Sequence, residues 1–283
     1  MADVSESLGE GYREILDFIG RVRGLDFSLW RPGCLMRRID HRVRASGAGD
    51  PASYLKLLQK TPGELEKLVN SIAINVTEFF RNPEVFEALG RAVVPKIVSE
   101  ALGRGYPRIR VWDAGSSNGA EAFTLAILFA EELERGGVRI PISIQGTDID
   151  REAIAEAAAG RYDASMFKEA PGALLSKYFP KSGKGYAVAD SIRLLVKFRY
   201  HDMVGHRPPV ANDLVVCRNV LIYFSKELQA RAIDNFWKAL RVGGFLVLGQ
   251  TESLKDSAGI PGGERNFIFF MSSTELTGFE NQP

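Results

Sequence analysis

Residues 108–119 read RIRVWDAGSSNG, an apolar run that ends in a turn of small residues. The apolar residues of this run predict a strand, and the segment Glu121–Leu133 that follows it predicts a helix. A strand, a glycine-bearing turn and a helix in this order are typical of a unit of a parallel α/β sheet. We therefore expect the fold to be built around this stretch.

The remainder of the second half repeats the alternation of strands and helices. Strands are predicted at Ile140–Gly146, Asp213–Cys217, Phe245–Leu248 and Phe267–Phe270, and helices at Glu152–Ala159 and Lys226–Leu240. Because strands that alternate with helices form parallel sheets covered on both faces, the sequence predicts an α/β fold with a doubly wound sheet.

The first part of the chain has a helical pattern without strands. Tyr12, Ile15 and Ile19 recur at helical spacing, so that their side chains share one face. Asp50 followed by Pro51 predicts a capped helix start. We expect an all-helical N-terminal domain here.

A glycine-rich stretch near residue 100 separates the two patterns. We place the helical domain at 10–90 and the α/β domain at 91–283. Proline and glycine punctuate 161–197, and the apolar runs at 186–188 and 192–196 predict a small antiparallel insert there.

Composition excludes several classes of protein. The 283 residues carry 36 basic and 35 acidic side chains, so net charge gives no attraction to nucleic acid or to an anionic membrane. Two cysteines cannot form a disulfide framework, and three scattered histidines lack metal-ligand spacing. The polar N-terminus is unlike a signal peptide, and the longest apolar run is too short to span a bilayer. We expect a cytoplasmic monomer without a metal, a nucleic-acid partner or direct membrane insertion.

The turn at 114–119 and the end of the next strand predict a nucleoside site. Small residues around Gly115 let a ligand approach backbone N–H groups, and the Asp148 carboxylate can accept hydrogen bonds from a ribose diol. The spacing is G-x-x-x-G and not G-x-G-x-x-G, which disfavours a dinucleotide and hence a nicotinamide-dependent oxidoreductase. A nucleoside without a pyrophosphate, such as S-adenosylmethionine, suits this pattern. The alternative is a purely structural turn.

Two longer motifs identify a family. NVTEFFR at 75–81 and CRNVLIYF at 217–224 flank the turn, with Asp148-Ile149-Asp150 between them. Together they resemble the CheR-type chemotaxis receptor methyltransferases over about residues 10–271. The resemblance implies a Rossmann-like methyltransferase sheet, a helical N-terminal domain and an inserted β-subdomain. It also implies methyl transfer from S-adenosylmethionine to glutamate carboxylates of chemoreceptors, giving methyl esters and S-adenosylhomocysteine.

The resemblance also assigns roles to individual residues. Arg81 and Tyr223 match the pair associated with methyl transfer; the alternatives are a helix-end ion pair of Arg81 with Glu84 and a packing role for Tyr223. Glu121 matches a contact to the methionine portion, although a carboxylate also suits a helix N-terminus. The positions that match cofactor contacts are Asn75, Thr77, Arg81, Gly115, Glu121, Asp148, Asp202, Met203, Arg218 and Asn219.

The sequence departs from the family pattern at the cofactor loop. It has Ala120 and Ala122 where the family has glutamate and proline, Asp113 where it often has a small residue, and Asp202 where it has asparagine. These departures keep open an alternative: a catalytically degenerate S-adenosylmethionine-binding signalling module that docks the same partner.

An arginine-rich helix after Pro32 is a candidate docking surface. Its basic side chains Arg37, Arg38, Arg42 and Arg44 form either a solvated helix face or, as the family resemblance implies, a dock for acidic chemoreceptor helices. A receptor's C-terminal tether is a candidate partner of the 161–197 insert, and the sequence does not decide whether it binds there.

Overall fold

A computed structural model describes residues 8–73, 77–249, 252, 267–271 and 276–280. Contacts divide the chain into two compact units, each described here by itself. The first comprises residues 1–75 and 223–229, and the second comprises residues 76–222 and 230–283, within the described ranges. The family-predicted position Asn75 lies outside the described residues.

The first unit is helical, as its sequence pattern predicts. Its helices are α1 (Glu10–Arg23), α2 (Pro32–Ser46), α3 (Pro51–Lys60) and α4 (Pro62–Ala73). The Asp50 side chain accepts a hydrogen bond from Ser53 N at 2.8 Å and so caps α3. Ile15, Ile19 and Ile39 are fully buried in its core.

The second unit alternates helices and strands. Its helices are α5 (Pro83–Ala88), α6 (Val94–Leu102), α7 (Ala120–Arg135), α8 (Arg151–Ala159), α9 (Gly172–Tyr178), α10 (Asp190–Arg193) and α11 (Lys226–Ala239), whose first turn belongs to the first unit. Its strands are β1 (Ile109–Ala114), β2 (Ile142–Asp148), β3 (Arg161–Asp163), β4 (Lys181–Ser182), β5 (Gly185–Ala187), β6 (Val196–Tyr200), β7 (Asn212–Cys217), β8 (Leu240–Leu248), β9 (Phe267–Met271) and β10 (Leu276–Glu280).

Among the described residues, seven of these strands form one sheet in the order β10-β9-β8-β7-β1-β2-β6. Strand β1 lies inside the sheet and pairs in parallel with β2 and β7, while β10 is antiparallel to β9. The predicted α/β class with a mainly parallel sheet is therefore confirmed. Because parallel strands end at the same edge, the residues that follow β1, β2 and β7 converge there.

Burial explains why the RIRVWDAGSSNG stretch organises this unit. Trp112 and Ala114 in β1 are fully buried, as are Phe123 and Ile127 in α7, so both elements lie in the core. A strand buried on both faces needs an apolar run and cannot show polar alternation.

The division between the units corrects the predicted boundary at residue 90. Phe79, Phe86 and Leu89 are buried in the same core as β1 and α7, so residues 77–90 pack with the α/β unit. The glycines near residue 100 lie at the end of α6 and in the loop to β1, a connection within one unit.

The insert also differs from the prediction in detail. The order β3-β5-β4 forms a three-stranded antiparallel sheet. The run at 192–196 does not join it, because 190–193 form α10 and Val196 begins a strand parallel to β2 in the main sheet. The antiparallel part of the insert therefore ends at Ala187.

The described residues contain neither a helix that could span a membrane nor a cluster of metal ligands. Every helix there is too short or too polar to cross a membrane. No group of three or more histidine, cysteine, aspartate or glutamate side chains is arranged to hold a metal ion within those ranges.

Candidate cofactor site at the carboxyl ends of the central strands

The turn after β1 brings backbone close to the edge of the sheet. Gly115 and Gly119 both have φ of +88°, a left-handed conformation that favours glycine. Gly115 N and Ser116 N donate to the carbonyl of Thr147 at 2.8 and 2.9 Å, which joins the turn to the end of β2. The turn is therefore a fixed cradle.

Close packing under this cradle leaves no room for a side chain at Gly115. A Cβ built there lies 2.6 Å from Val220 Cγ2 and 3.5 Å from Met203 Cε. Both neighbours follow strands of the same sheet, β7 and β6 respectively. The ends of β1, β6 and β7 thus meet at Gly115.

The Gly115→Ala substitution is expected to weaken binding of S-adenosylhomocysteine about tenfold or more, because it combines a strained φ with a displaced Val220. Isothermal titration calorimetry measures this. The matched control is Gly137→Ala, since Gly137 has φ of +61° and nothing within 4 Å of its built Cβ. Equal affinities for both variants would contradict a role for close packing at Gly115.

Asp148 at the end of β2 is held by backbone donors. One carboxylate oxygen accepts from Ser117 N at 2.8 Å and the other from Asp150 N at 2.9 Å. Burial raises the pKa of Asp148 to about 6, and the two N–H donors oppose that rise. The half-buried carboxylate keeps acceptor capacity for further donors such as a ribose diol.

Arg218, after β7, is the cation of the site. Its Nη1 donates to Glu121 Oε2 at 2.5 Å, and its Nη2 donates to the Arg81 carbonyl at 3.1 Å and to Asn82 Oδ1 at 2.9 Å. The Arg218 side chain is 2% exposed and that of Glu121 14%. One guanidinium therefore joins α7 to the start of α5.

Asp113, the residue that departs from the family pattern, is fully buried in β1. Both of its carboxylate oxygens lack a hydrogen-bond donor among the described residues. Burial raises the pKa of Asp113 well above its ordinary value. The charge of Glu121, a hydrogen bond that the protonated Asp113 shares with Glu121, and the charge of Asp148 raise it further, while Arg218 opposes them. The structure therefore favours the neutral, protonated form of the Asp113 carboxyl.

Left-handed backbone is concentrated around this site. Phe80, Asn82, Ser117 and Asn219 have φ between +49° and +62° although none of them is glycine. Such residues persist only where their surroundings impose the conformation, and they are frequent at functional sites. Asn82 contacts Arg218, Asn219 follows it in sequence, and Ser117 belongs to the turn after β1.

The positions after β6 pack beside the turn. Met203 is buried next to Gly115, and its carbonyl accepts from Asn235 Nδ2 at 2.9 Å. Asp202 uses one carboxylate oxygen to accept from Val204 N at 2.9 Å, which stabilises the local turn. One Asp202 oxygen therefore stabilises the loop after β6. A contact between Asp202 and the cofactor stays a prediction.

The remaining predicted residues are distributed over both units. Thr77 and Arg81 lie in the second unit, and both are half-buried. Tyr223 belongs to the first unit, where its carbonyl accepts from Arg31 N at 2.9 Å. Of the committed set, the structure brings together Gly115, Glu121, Asp148, Met203, Arg218 and the backbone of Arg81.

The arginines of α2 do not form one uniform surface. Arg37 and Arg44 are exposed, and Arg38 is half-buried. Arg42 instead donates to Glu64 Oε1 at 3.0 and 2.6 Å, and Tyr54 donates to the same oxygen at 2.9 Å. The Glu64 side chain is only 8% exposed, so Arg42 pairs with a buried acid inside the helical unit.

Sequence reasoning missed two residues that shape the site. The Tyr162 hydroxyl donates to the Asn118 carbonyl of the turn at 2.6 Å, which ties the insert to the cradle. Glu252 accepts backbone hydrogen bonds from the turn after β7. The signal for Glu252 was a glutamate four residues beyond the end of an apolar strand, at the edge where ligands bind. Tyr162 had no comparable signal.

The residues at this edge fit S-adenosylmethionine. The turn at Gly115 and Ser116 places backbone at the carboxyl edge of the sheet, and Asp148 suits a ribose diol. The Glu121 carboxylate, and beside it the buried Asp113 carboxyl, offer acceptor oxygens to the ammonium group of a methionine portion.

Comparisons with known proteins place these motifs in a family. Residues 75–260 match the description "CheR methyltransferase, SAM binding domain", and residues 10–73 match "CheR methyltransferase, all-alpha domain". A Listeria monocytogenes chemotaxis protein methyltransferase is 29% identical over 94% of this chain and 98% of its own length. Chemotaxis protein methyltransferase 2 of Vibrio cholerae is 32% identical over 78% of this chain and 76% of its own length.

A Rhodobacter capsulatus protein of 104.1 kDa, from the hypE 3′ region, is 38% identical over 88% of this chain. The chain spans 26% of that protein's length. Among solved structures, the magnesium protoporphyrin IX methyltransferase ChlM of Synechocystis covers 67% of this chain, and 61% of its own, at 17% identity with a TM-score of 0.31. On the two domain matches and the full-length relatives, the chain belongs to the CheR methyltransferase family, with both its all-alpha and its S-adenosylmethionine-binding domain.

Proposed function

We propose that this protein transfers a methyl group from S-adenosylmethionine to glutamate side chains of chemoreceptors. The observation that carries the proposal is the constellation of Glu121, Asp148 and Arg218 around the turn at Gly115. The family match supports the activity, and relatives named chemotaxis protein methyltransferase support the substrate. We also propose that it acts in the cytoplasm and as a monomer.

The substrate needs no general base. A glutamate side chain has an ordinary pKa of about 4.3 and is already ionised at neutral pH. S-Adenosylmethionine supplies a methyl group on a positively charged sulfur. One carboxylate oxygen forms the new O–CH3 bond, the S–CH3 bond breaks, and its electron pair stays on sulfur. The products are a glutamate methyl ester and S-adenosylhomocysteine.

The protein's task is therefore binding and alignment. Glu121 and Asp113 would hold the ammonium group, and Asp148 the ribose. Asn75, Thr77, Asp202, Met203 and Asn219 would complete the cofactor site, as the family resemblance implies. We assign Arg81 to hold a carboxylate, because a guanidinium binds one with two parallel hydrogen bonds. Tyr223 would orient the nucleophilic carboxylate through its hydroxyl.

The first experiment mixes the protein with a cytoplasmic chemoreceptor fragment and S-adenosylmethionine labelled on the methyl group. Base treatment of the product should release labelled methanol, which is specific for carboxyl methyl esters. The Arg81→Ala variant should lose this release and still bind S-adenosylhomocysteine measurably by calorimetry. No label transfer by the wild-type protein, with cofactor binding intact, would contradict the enzyme and favour the signalling module.

For the docking surface we propose the exposed face of α2. Arg37, His41 and Arg44 are all exposed at positions i, i+4 and i+7, so that they form one stripe along the helix. An acidic receptor helix would suit this stripe. Arg38 borders it, whereas Arg42 is paired with Glu64 and contributes no free charge.

Charge reversal separates docking from folding. The Arg37→Glu and Arg44→Glu double variant is expected to reduce receptor methylation about tenfold at low salt while leaving the melting temperature unchanged. Arg42→Glu is expected to destabilise the protein by about 3–5 kcal/mol, because Glu64 would lose its buried partner. Methylation assays and thermal unfolding distinguish the two; unchanged methylation by the double variant would exclude this docking face.

The insert is a further proposed contact. Its three-stranded sheet has β3 and β4 at its edges, and an extended peptide can add to such an edge through backbone hydrogen bonds. We propose that the receptor's C-terminal tether binds here. Removal of that tether from the receptor should slow its methylation without affecting cofactor binding.

A further inference from the structure

Glu252 is a buried acid whose carboxylate accepts hydrogen bonds from backbone N–H groups. Its Oε1 accepts from Val220 N at 2.8 Å and Leu221 N at 2.7 Å. Its Oε2 accepts from Asn219 N at 3.1 Å and Gly249 N at 2.7 Å. The residue is 4% exposed. Four convergent N–H groups thus satisfy one carboxylate, which joins the turn after β7 to the turn after β8.

The bound turn has an unusual backbone. Asn219 has φ of +60°, a conformation that costs energy for a residue other than glycine. The N–H groups of 219, 220 and 221 all point to the same carboxylate, so Glu252 compensates this strain. Without an acceptor these three donors would be partly buried and unsatisfied.

The same turn forms a wall of the cofactor cradle. Val220 Cγ2 lies within 2.6 Å of the Cβ position at Gly115, so any movement of Val220 changes the space over that glycine. Arg218, which binds Glu121, comes immediately before the turn. Glu252 therefore touches the segment that holds two sides of the site, although its own side chain contacts backbone.

We propose that Glu252 is a positioning residue for the cofactor site: its carboxylate fixes the turn 219–221, and through it Val220 against Gly115. The proposal rests on the proposed function to the extent that this site binds S-adenosylmethionine. Burial raises the pKa of Glu252 and the four N–H donors oppose that rise, which fits an acceptor held inside the protein.

Asp213 offers a matched control at the other end of the same strand. Its buried carboxylate accepts from Arg110 N at 2.8 Å and pairs with Arg104 and Arg241. It lies near the amino end of β7, whereas Glu252 binds the turn beyond the carboxyl end. Both acids stabilise the same part of the fold, and the proposal gives only Glu252 an effect on the cofactor.

The experiment compares Glu252→Gln with Asp213→Asn in the full chain. The glutamine amide must direct its NH2 group at two backbone N–H donors, so two hydrogen bonds are lost and the turn shifts. The dissociation constant for S-adenosylhomocysteine, measured by calorimetry, should rise about tenfold or more for Glu252→Gln. Asp213→Asn should lower the melting temperature and leave that dissociation constant unchanged.

A second variant tests the contact without altering the acid. A Cβ built on Gly249 lies 2.6 Å from Glu252 Oε2 and 3.0 Å from Asn219 N. Gly249→Ala should therefore displace the carboxylate and weaken cofactor binding as Glu252→Gln does. If Glu252→Gln fails to fold, the affinity of Gly249→Ala for S-adenosylhomocysteine tests the proposal.

The outcomes separate this proposal from the proposed function. If wild-type protein binds and both Glu252→Gln and Gly249→Ala bind equally well, Glu252 has a structural role alone and the proposal is overturned. If wild-type protein does not bind, the cofactor assignment fails and the positioning role fails with it. Weakened binding by Asp213→Asn as well would also overturn it, since general destabilisation would then explain both effects.

Discussion

The Arg218→Met substitution is expected to lower the free energy of unfolding by about 3–5 kcal/mol and to abolish cofactor binding, because it leaves buried carboxylates without their cation. Arg218 donates to Glu121, to the Arg81 carbonyl and to Asn82 Oδ1. Methionine fills a similar volume and satisfies none of these acceptors. Glu121 would then be a largely buried carboxylate without its cation.

Urea unfolding and calorimetry with S-adenosylhomocysteine measure the two effects. The control is Arg241→Met, since Arg241 pairs with Glu100 at 2.6 Å and with Asp213 at 2.5 Å, away from the cofactor edge. That variant should lose stability and keep its affinity for the cofactor product. Wild-type affinity in Arg218→Met would refute the assignment of Arg218 to the site.

A double variant identifies the cause of the lost stability. Glu121→Gln in the Arg218→Met background removes the unpaired charge, so part of the stability should return. Binding should not return, because the carboxylate that would hold the ammonium group is also gone. If the double variant is as unstable as Arg218→Met alone, the lost contacts to Arg81 and Asn82 explain the destabilisation instead.

The order of elements in the α/β unit was predictable because its signals are local. The run RIRVWD, the turn at Gly115 and the apolar helix after it follow one another in sequence, and the structure has them as β1, the cradle and α7. Asp148 was likewise predictable as a strand-end residue, since only the end of an apolar run had to be located. Periodicity and turn chemistry act over about ten residues.

The ion pairs were not predictable because they join distant segments. Glu121 and Arg218 are 97 residues apart, and no spacing rule relates them. The same holds for Arg42: its position beside the buried Ile39 and Val43 was visible in the sequence, but its partner Glu64 lies on another helix. The family resemblance supplied the identity of site residues but not these partners.

The domain boundary was misplaced for a related reason. Glycines near residue 100 suggested a linker, whereas the aromatic residues Phe79 and Phe86 decide that their segment packs with the sheet. The large apolar area that a buried aromatic side chain removes from water fixes the unit with which its segment packs, whereas glycines in a connection do not. A helix can therefore belong to a domain with which it shares no sequence pattern.

The Asp113→Asn substitution is expected to stabilise the protein without cofactor and to weaken cofactor binding. Burial, the charge of Glu121 and a hydrogen bond with Glu121 raise the pKa of Asp113 in the folded state. The stability that protonated Asp113 contributes is therefore fully present below its unfolded-state pKa of about 4. That stability is lost as the pH rises through the pKa of Asp113 in the folded state. Asparagine carries no such pH dependence.

At pH 8 the variant should be more stable than wild type by about 1–3 kcal/mol, the usual cost of a buried polar group without a partner. Urea unfolding between pH 4 and pH 8 measures the difference, which should grow with pH. Asp148→Asn is the comparison: because the folded pKa of Asp148 is about 6, its difference from wild type should stop growing near pH 6. A flat difference for Asp113→Asn would contradict a raised pKa.

Binding should change in the opposite direction. If Asp113 holds the ammonium group, its loss should raise the dissociation constant of S-adenosylhomocysteine about tenfold or more, the effect of one charged hydrogen bond. A residue that served packing alone would lose stability and affinity together. A variant with higher stability and lower affinity would instead mean that the Asp113 carboxyl in β1 opposes folding and contributes to ligand binding. Such a conflict between stability and binding is common at functional sites.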